Sequence, residues 1–256
     1  PQMRYFARRH QCVTFGARGY PPSDVPADVD RYSQATAADD IAAVMDALGL
    51  QRAHIVGLSM GGFATLHFGL RHAPRAASLV IAGAGYGAEK EHEEYFRGVS
   101  LEVARQFEAQ GSEKFARTYS LGASRVQFQN KDPRGWQEFA TWLGEHDALG
   151  AANTMRGVQA RRPSIYDLES ELRAMPVPSL VVVGDEDDHC LQPGIFLKKT
   201  VPACGLAVMP KTGHTLNLEE PAAFNALLAE FFAQVEAGQW KPRDPRALPS
   251  QIMKTD

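Results

Sequence analysis

Five short apolar runs, set among longer stretches of helical pattern, constrain the fold of this chain more than any other feature. Cys12–Gly16, Ala53–Leu58, Ser78–Gly83, Ser179–Gly184 and Gly205–Met209 are rich in β-branched and aliphatic residues. Several are apolar almost throughout. A strand with one wet face alternates; a strand covered on both faces does not. The runs therefore predict buried parallel strands. Around them, Ser33–Leu48 predicts a helix ended by Gly49, and Met60–His72 a helix stopped before Pro74. Pro193–Thr200 and Pro221–Val235 predict two more, each with proline in its first turn. Strand, helix, strand, helix implies an α/β fold with a doubly wound, mostly parallel sheet and right-handed crossovers.

The rhythm stops between about Gly85 and Met175. No strand pattern occurs there, and Tyr95, Phe96, Phe107, Phe115, Tyr119, Phe128, Trp136, Phe139 and Trp142 recur at helical intervals. The segment predicts several helices inserted between two strands, forming a lid over a pocket, with most of the aromatics as the lid's own small core. The expected organisation is a core of residues 1–84 and 176–237, a helical lid at 85–175 and a C-terminal extension at 238–256.

Ala53-His54-Ile55-Val56-Gly57-Leu58-Ser59-Met60-Gly61-Gly62-Phe63 has the form strand, G-x-S-x-G, helix. A serine on so sharp a turn is held in a strained conformation with its hydroxyl clear of the sheet. The pattern predicts that Gly57 and Gly61 must lack side chains for the chain to turn. The following helix aims its N-terminus at the serine, and the Met60 backbone N–H is the expected oxyanion donor. Ser59 is the candidate nucleophile.

A serine hydroxyl needs a general base, and the base needs an acid to fix its tautomer. After the strand ending at Gly184 come Asp185-Glu186-Asp187-Asp188; four adjacent carboxylates cannot all reach one imidazole, and the residues alone do not choose among them. His189 and His214 are the histidines beyond this loop. His189 is too close to the acids to approach from a separate loop. His214 follows the last strand, where catalytic groups gather in open α/β sheets, and is the candidate base. His10, His54, His67, His72, His92 and His146 read as structural or surface residues.

Bulk properties exclude some classes. A net charge of −3 gives no field favouring nucleic acid or an anionic membrane. The pairs Arg8-Arg9, Arg161-Arg162 and Lys198-Lys199 read as solvated faces. Three cysteines, Cys12, Cys190 and Cys204, lack metal-ligand spacing and fit a reducing cytoplasm better than a disulfide-built fold. There is no apolar run near 18 residues. No metal or organic cofactor is called for, and the expected partner is a small acyl substrate; the oligomeric state is not legible.

At these residues the chain resembles the lid-bearing α/β-hydrolase family of esterases, enol-lactonases and related bacterial hydrolases. Gly57-Leu58-Ser59-Met60-Gly61-Gly62 is similar to its nucleophile elbow, and Gly213-His214-Thr215-Leu216-Asn217-Leu218-Glu219-Glu220-Pro221 to its histidine motif. Val183-Gly184-Asp185-Glu186-Asp187 is similar to its acid loop, where the third residue after the glycine is the usual acid; the resemblance thus implies Asp187. Arg18-Gly19-Tyr20-Pro21-Pro22-Ser23-Asp24 resembles the loop after the fourth strand, although Gly16 or Ala17 stands where the family usually has an acidic residue. The resemblance implies a serine hydrolase of small carboxylic esters or lactones. A serine at the elbow argues against dehalogenase and epoxide hydrolase chemistry. Thioesterase, amidase, perhydrolase and C–C bond hydrolase activities stay open, as does a non-catalytic ligand-binding homologue. It also implies three strands and a His-Gly-type loop upstream of Cys12, so the expectation is a segment before residue 1 that carries them and the second oxyanion donor.

Overall fold

The computed structural model describes residues 1–247. Four parallel strands, β1 (Ala53–Leu58), β2 (Ala76–Ala82), β3 (Ser179–Gly184) and β4 (Cys204–Met209), form one sheet in the order β1-β2-β3-β4. The pairing is direct: Gly57 faces Ile81, Ile81 faces Val181, and Val181 faces Leu206. β2 and β3 are the central strands, and β3 is buried along its whole length, which is why its sequence does not alternate.

Twelve α-helices complete the described residues. Those that matter for the site are α2 (Gln34–Ala47), α3 (Met60–Arg71), α10 (Asp188–Thr200), α11 (Leu216–Glu219) and α12 (Pro221–Glu236), with α4 (Glu93–Gln110) to α9 (Glu169–Ala174) between β2 and β3. Alternate strand residues divide the core. Leu79, Ile81, Val181 and Val183 pack with Met45 of α2, Phe63 and Leu66 of α3 and Leu197 of α10. Val80, Ala82, Leu180 and Val182 pack with Phe224, Leu228 and Phe231 of α12 on the opposite face. Burying a Leu or Phe side chain contributes about 1.5–3 kcal/mol, so these two layers fix the sheet and hence the loops at its carboxyl end.

Local signals explain the helix ends. The Ser33 hydroxyl accepts from Thr36 N–H at 3.0 Å and caps α2. Gly49, at φ +67°, follows its end in the left-handed region. Two expectations fail. Cys12–Gly16 forms no strand: none of the described residues pairs with it in a β-ladder, and Val13 and Phe15 are exposed. The fourth predicted helix begins at Asp188, not Pro193, which lies inside α10. Pro193 cannot donate to the His189 carbonyl, so that helix carries a missing bond in its first turns.

The insertion between β2 and β3 is helical, as its pattern predicts. Its own core joins Ala104, Phe107, Phe115, Ala151 and Ala152. Phe128 is also buried, whereas Tyr95 and Trp142 are exposed. Beyond α12, Trp240 packs edge-on to Phe231 at 4.6 Å and donates its indole N–H to the Ala203 carbonyl at 2.9 Å. The expected extension is thus anchored at its start; its last part, 248–256, lies outside the described residues.

Candidate active site

Ser59 sits between the end of β1 and the start of α3 with φ 58° and ψ −116°, a conformation that costs a non-glycine residue roughly 1–3 kcal/mol. Close packing over-determines it. A Cβ on Gly57 would lie 2.0 Å from the Gly61 carbonyl oxygen, and one on Gly62 would lie 2.6 Å from that of Ala82. The expectation that Gly61 must lack a side chain does not hold: a Cβ on Gly61 meets nothing within 4 Å. The tight approach on the far side of the serine falls on Gly62, because the helix turns that residue toward β2. Ser59 N–H donates to Ala82 O at 2.9 Å, tying the turn to the central strand.

The structure brings Ser59, His214 and Asp187 together in a line. Ser59 Oγ lies 2.8 Å from His214 Nε2, and His214 Nδ1 lies 2.8 Å from Asp187 Oδ2. His214 and Asp187 are 4% and 2% exposed. Burial pushes the Asp187 carboxyl up, but the hydrogen bond and charge of His214 outweigh it and hold the group below the ordinary carboxylate range. A carboxylate on Nδ1 places that proton there and leaves Nε2 as an acceptor for the serine hydroxyl.

The neighbouring acids have other duties. Asp185 accepts the Thr212 N–H at 3.1 Å, and Glu186 meets Gln127 and Lys211; both acids are exposed, as is Asp188 at the start of α10. Asp187 alone of the four is buried. The acid and histidine loops are also stitched through their backbones, Asp185 N–H to Met209 O at 3.0 Å and Glu186 N–H to Thr212 O at 3.0 Å.

Met60 is the first residue of α3, so its N–H lacks an acceptor one turn earlier in the helix, the condition for an oxyanion donor. Asp187, Cys190 and His214 offer ligand atoms within 4.8 Å of one another. Both ring nitrogens of His214 are engaged by Ser59 and Asp187, so neither is free for a metal, and burial pushes the Cys190 thiol well up.

Ser59 and His214 open into a cleft of about 200 Å³ walled by the helical insertion, including Phe96, Tyr119 and Arg125. Tyr86 packs its ring edge-on to His214 at 5.0 Å, and burial raises its phenol pKa. Three important residues escape the sequence reading. Glu219 carries no signal beyond its place in the histidine motif. Tyr86 lies in a Gly-rich loop with no pattern. Arg162 reads as half of a solvated basic pair; that is true of Arg161, which is exposed, but Arg162 lines the cleft.

The sequence pattern of the alpha/beta hydrolase fold matches residues 1–221. Among characterised proteins, the chain is 25% identical over 238 residues to 3-oxoadipate enol-lactonase 1 of Acinetobacter baylyi, covering 92% of this chain and 84% of that protein. It is 28% identical over 236 residues to 2-hydroxymuconate semialdehyde hydrolase of Pseudomonas putida, covering 86% of this chain and 75% of that protein. The solved structure of MenH from S. aureus superposes with a TM-score of 0.83 at 16% identity, over 91% of this chain and 87% of that one, a likeness of fold alone. With the elbow, the insertion between β2 and β3 and the loops after β3 and β4 in place, the chain belongs to the alpha/beta hydrolase fold family.

Proposed function

We propose that this hydrolase cleaves a small carboxylic ester or lactone through an acyl-enzyme. One observation carries the reading: the unbroken path from Asp187 Oδ2 through the His214 ring to Ser59 Oγ, with both contacts at 2.8 Å. In this reading Ser59 Oγ attacks the carbonyl carbon and His214 Nε2 takes the hydroxyl proton. The oxyanion rests on the Met60 N–H. Asp187 holds the His214 tautomer and stabilises the imidazolium. Collapse expels the leaving alkoxide, which takes the proton from His214. Water, deprotonated by His214, then attacks the acyl carbon and frees Ser59.

The relationship to an enol-lactonase supports ester or lactone chemistry. The relationship to 2-hydroxymuconate semialdehyde hydrolase favours a second reading, C–C bond cleavage of a ring-fission product by the same residues. Turnover of 4-nitrophenyl butyrate by the wild type and its loss in Ser59→Ala, with an unchanged circular dichroism spectrum, is the expected result. Equal turnover by the variant contradicts the assignment. Comparing 4-nitrophenyl esters, enol-lactones and ring-fission dienoates separates the two chemistries. The described residues include no helix long and apolar enough to cross a membrane; a cytoplasmic location is part of the proposal and rests on the unpaired cysteines.

A further inference from the structure

The cleft beside Ser59 is unbalanced in charge. Arg97, Arg125 and Arg162 line it, against the single carboxylate Glu93. Glu93 pairs with Lys90 at 3.1 Å, and Arg97 with Glu94 at 3.4 Å. Arg125 and Arg162 have no carboxylate partner among the described residues. Arg125 bonds Ser124, and its Nε is buried without an acceptor.

Arg162 is the more constrained of the two. Its terminal nitrogens donate to Gln159 Oε1 at 2.6 Å and to the Tyr86 carbonyl at 2.7 Å. Its Cζ lies 3.3 Å over the Phe63 ring. These neutral partners fix the plane of the guanidinium and leave its charge unanswered; burial pulls its pKa down to about 9. A guanidinium has five N–H donors, and two acceptors do not exhaust them. Keeping a half-buried cation without a counter-ion is costly, and a bound anion offsets that cost.

The residue beneath this charge lies one helical turn from the nucleophile. Phe63, beneath Arg162, donates its N–H to the Ser59 carbonyl at 3.0 Å. Ser59, Phe63 and Arg162 line one cleft, so the guanidinium borders the space open to an acyl group on Ser59. Tyr86 links Arg162 to the histidine beside Ser59, holding Arg162 by its carbonyl and flanking His214 with its ring.

Resting on the proposed role of Ser59 as nucleophile, we infer that the acyl part of the natural substrate ends in a carboxylate, seated on Arg162 and steered by Arg125. The cleft is thus built for the half-ester or lactone of a short dicarboxylic acid. A neutral fatty ester would leave Arg162 unanswered. The fork geometry suits a planar carboxylate, which can take two parallel N–H bonds.

The test compares kcat/KM for mono(4-nitrophenyl) glutarate with that for 4-nitrophenyl pentanoate, after subtracting spontaneous hydrolysis. The two differ by a terminal carboxylate in place of a methyl. The wild type is expected to favour the glutarate half-ester. Arg162→Gln should lower the ratio of the two kcat/KM values by about 10- to 100-fold, chiefly through KM, and Arg162→Lys should recover part of it. Glutarate should inhibit the wild type competitively, and pentanamide should not. A wild type that prefers the pentanoate and ignores glutarate overturns the inference, as does a ratio unchanged in Arg162→Gln. If neither ester is turned over and a fluorophosphonate leaves Ser59 unlabelled, the Ser59 reading fails separately. The inference is then judged by binding: glutarate raising the Tm of the wild type but not of Arg162→Gln upholds it, and no shift in the wild type overturns it.

Discussion

Glu219 Oε1 accepts both the backbone N–H of Thr215, at 3.0 Å, and the Thr215 hydroxyl, at 2.8 Å. Its second oxygen takes the Gly213 N–H at 2.7 Å. The carboxylate therefore grips the residues on either side of His214. Gly213, Thr215 and Glu219 are all buried, so the bonds are shielded from water. Removing the carboxylate strands two buried N–H groups at about 1–3 kcal/mol each. Glu219→Ala is expected to lose about 2–5 kcal/mol in a urea titration, with kcat falling at least about tenfold as His214 loosens. Glu219→Gln, which keeps one acceptor, should fall between. Unchanged stability and kcat in Glu219→Ala would show that the loop is held by other means.

Asp187→Asn should leave the fold intact and lower kcat by roughly 10³–10⁴-fold. An amide can donate to Nδ1, which puts the ring proton on Nε2 and leaves nothing to accept the serine proton. The native carboxyl is held below its ordinary range by His214. It is thus ionised throughout any assay above about pH 5, and its titration should not appear in the pH–rate profile there. A loss of less than tenfold in kcat would count against Asp187 as the orienting acid.

His67, on α3, supplies a test of acid stability. It is 7% exposed, and its Nε2 has no partner among the described residues. Burial, reinforced by the charges of Arg162 and Arg71, lowers its pKa from 6.5 to about 4. Below pH 6.5 the unfolded chain takes a proton that the native state refuses, so this group makes stability fall as pH drops from about 6.5 to about 4; above 6.5 it has no effect. The full loss is on the order of 3 kcal/mol. His67→Leu should flatten that part of a stability-against-pH curve, measured by denaturant midpoints from pH 4 to 8. A slope identical to the wild type would rule out His67 as a source of the acid sensitivity.

The two glycines that flank the serine by two residues should behave differently. Gly57→Ala forces a Cβ to 2.0 Å from a backbone oxygen and is expected to prevent folding or to cost several kcal/mol, on the order of 3 or more. Gly61→Ala meets open space at a helical position, where alanine is favoured over glycine by about 1 kcal/mol. Tm values of the two variants check this contrast; equal destabilisation would contradict the difference in packing at the two positions.

What could be read from the sequence was what repeats or obeys a local rule. β3 was legible because Leu180–Val183 is apolar on both faces, and α2 because Ser33 and Gly49 mark its ends. Ser59 and His214 were legible because the motif and the last strand placed them at the carboxyl edge of the sheet. Cys12–Gly16 has the composition of a strand, but a strand exists through its pairing, and its sequence does not contain its neighbour. Pro193 misled because proline marks first turns more often than helix interiors. Arg162 was unreadable in principle: Arg161 and Arg162 are identical side chains, and only after the turn at Ala160–Arg161 that follows the helical segment Met155–Gln159 does one of them enter the cleft.

The central claim is that Ser59 is activated by His214. Treating the protein with a fluorophosphonate and measuring the intact mass and its peptides tests this most directly. The expected result is a single adduct, on the peptide containing Ser59, absent from Ser59→Ala and strongly slowed in a His214→Ala variant. No adduct on the wild type, or an adduct on another residue that persists in Ser59→Ala, would contradict it.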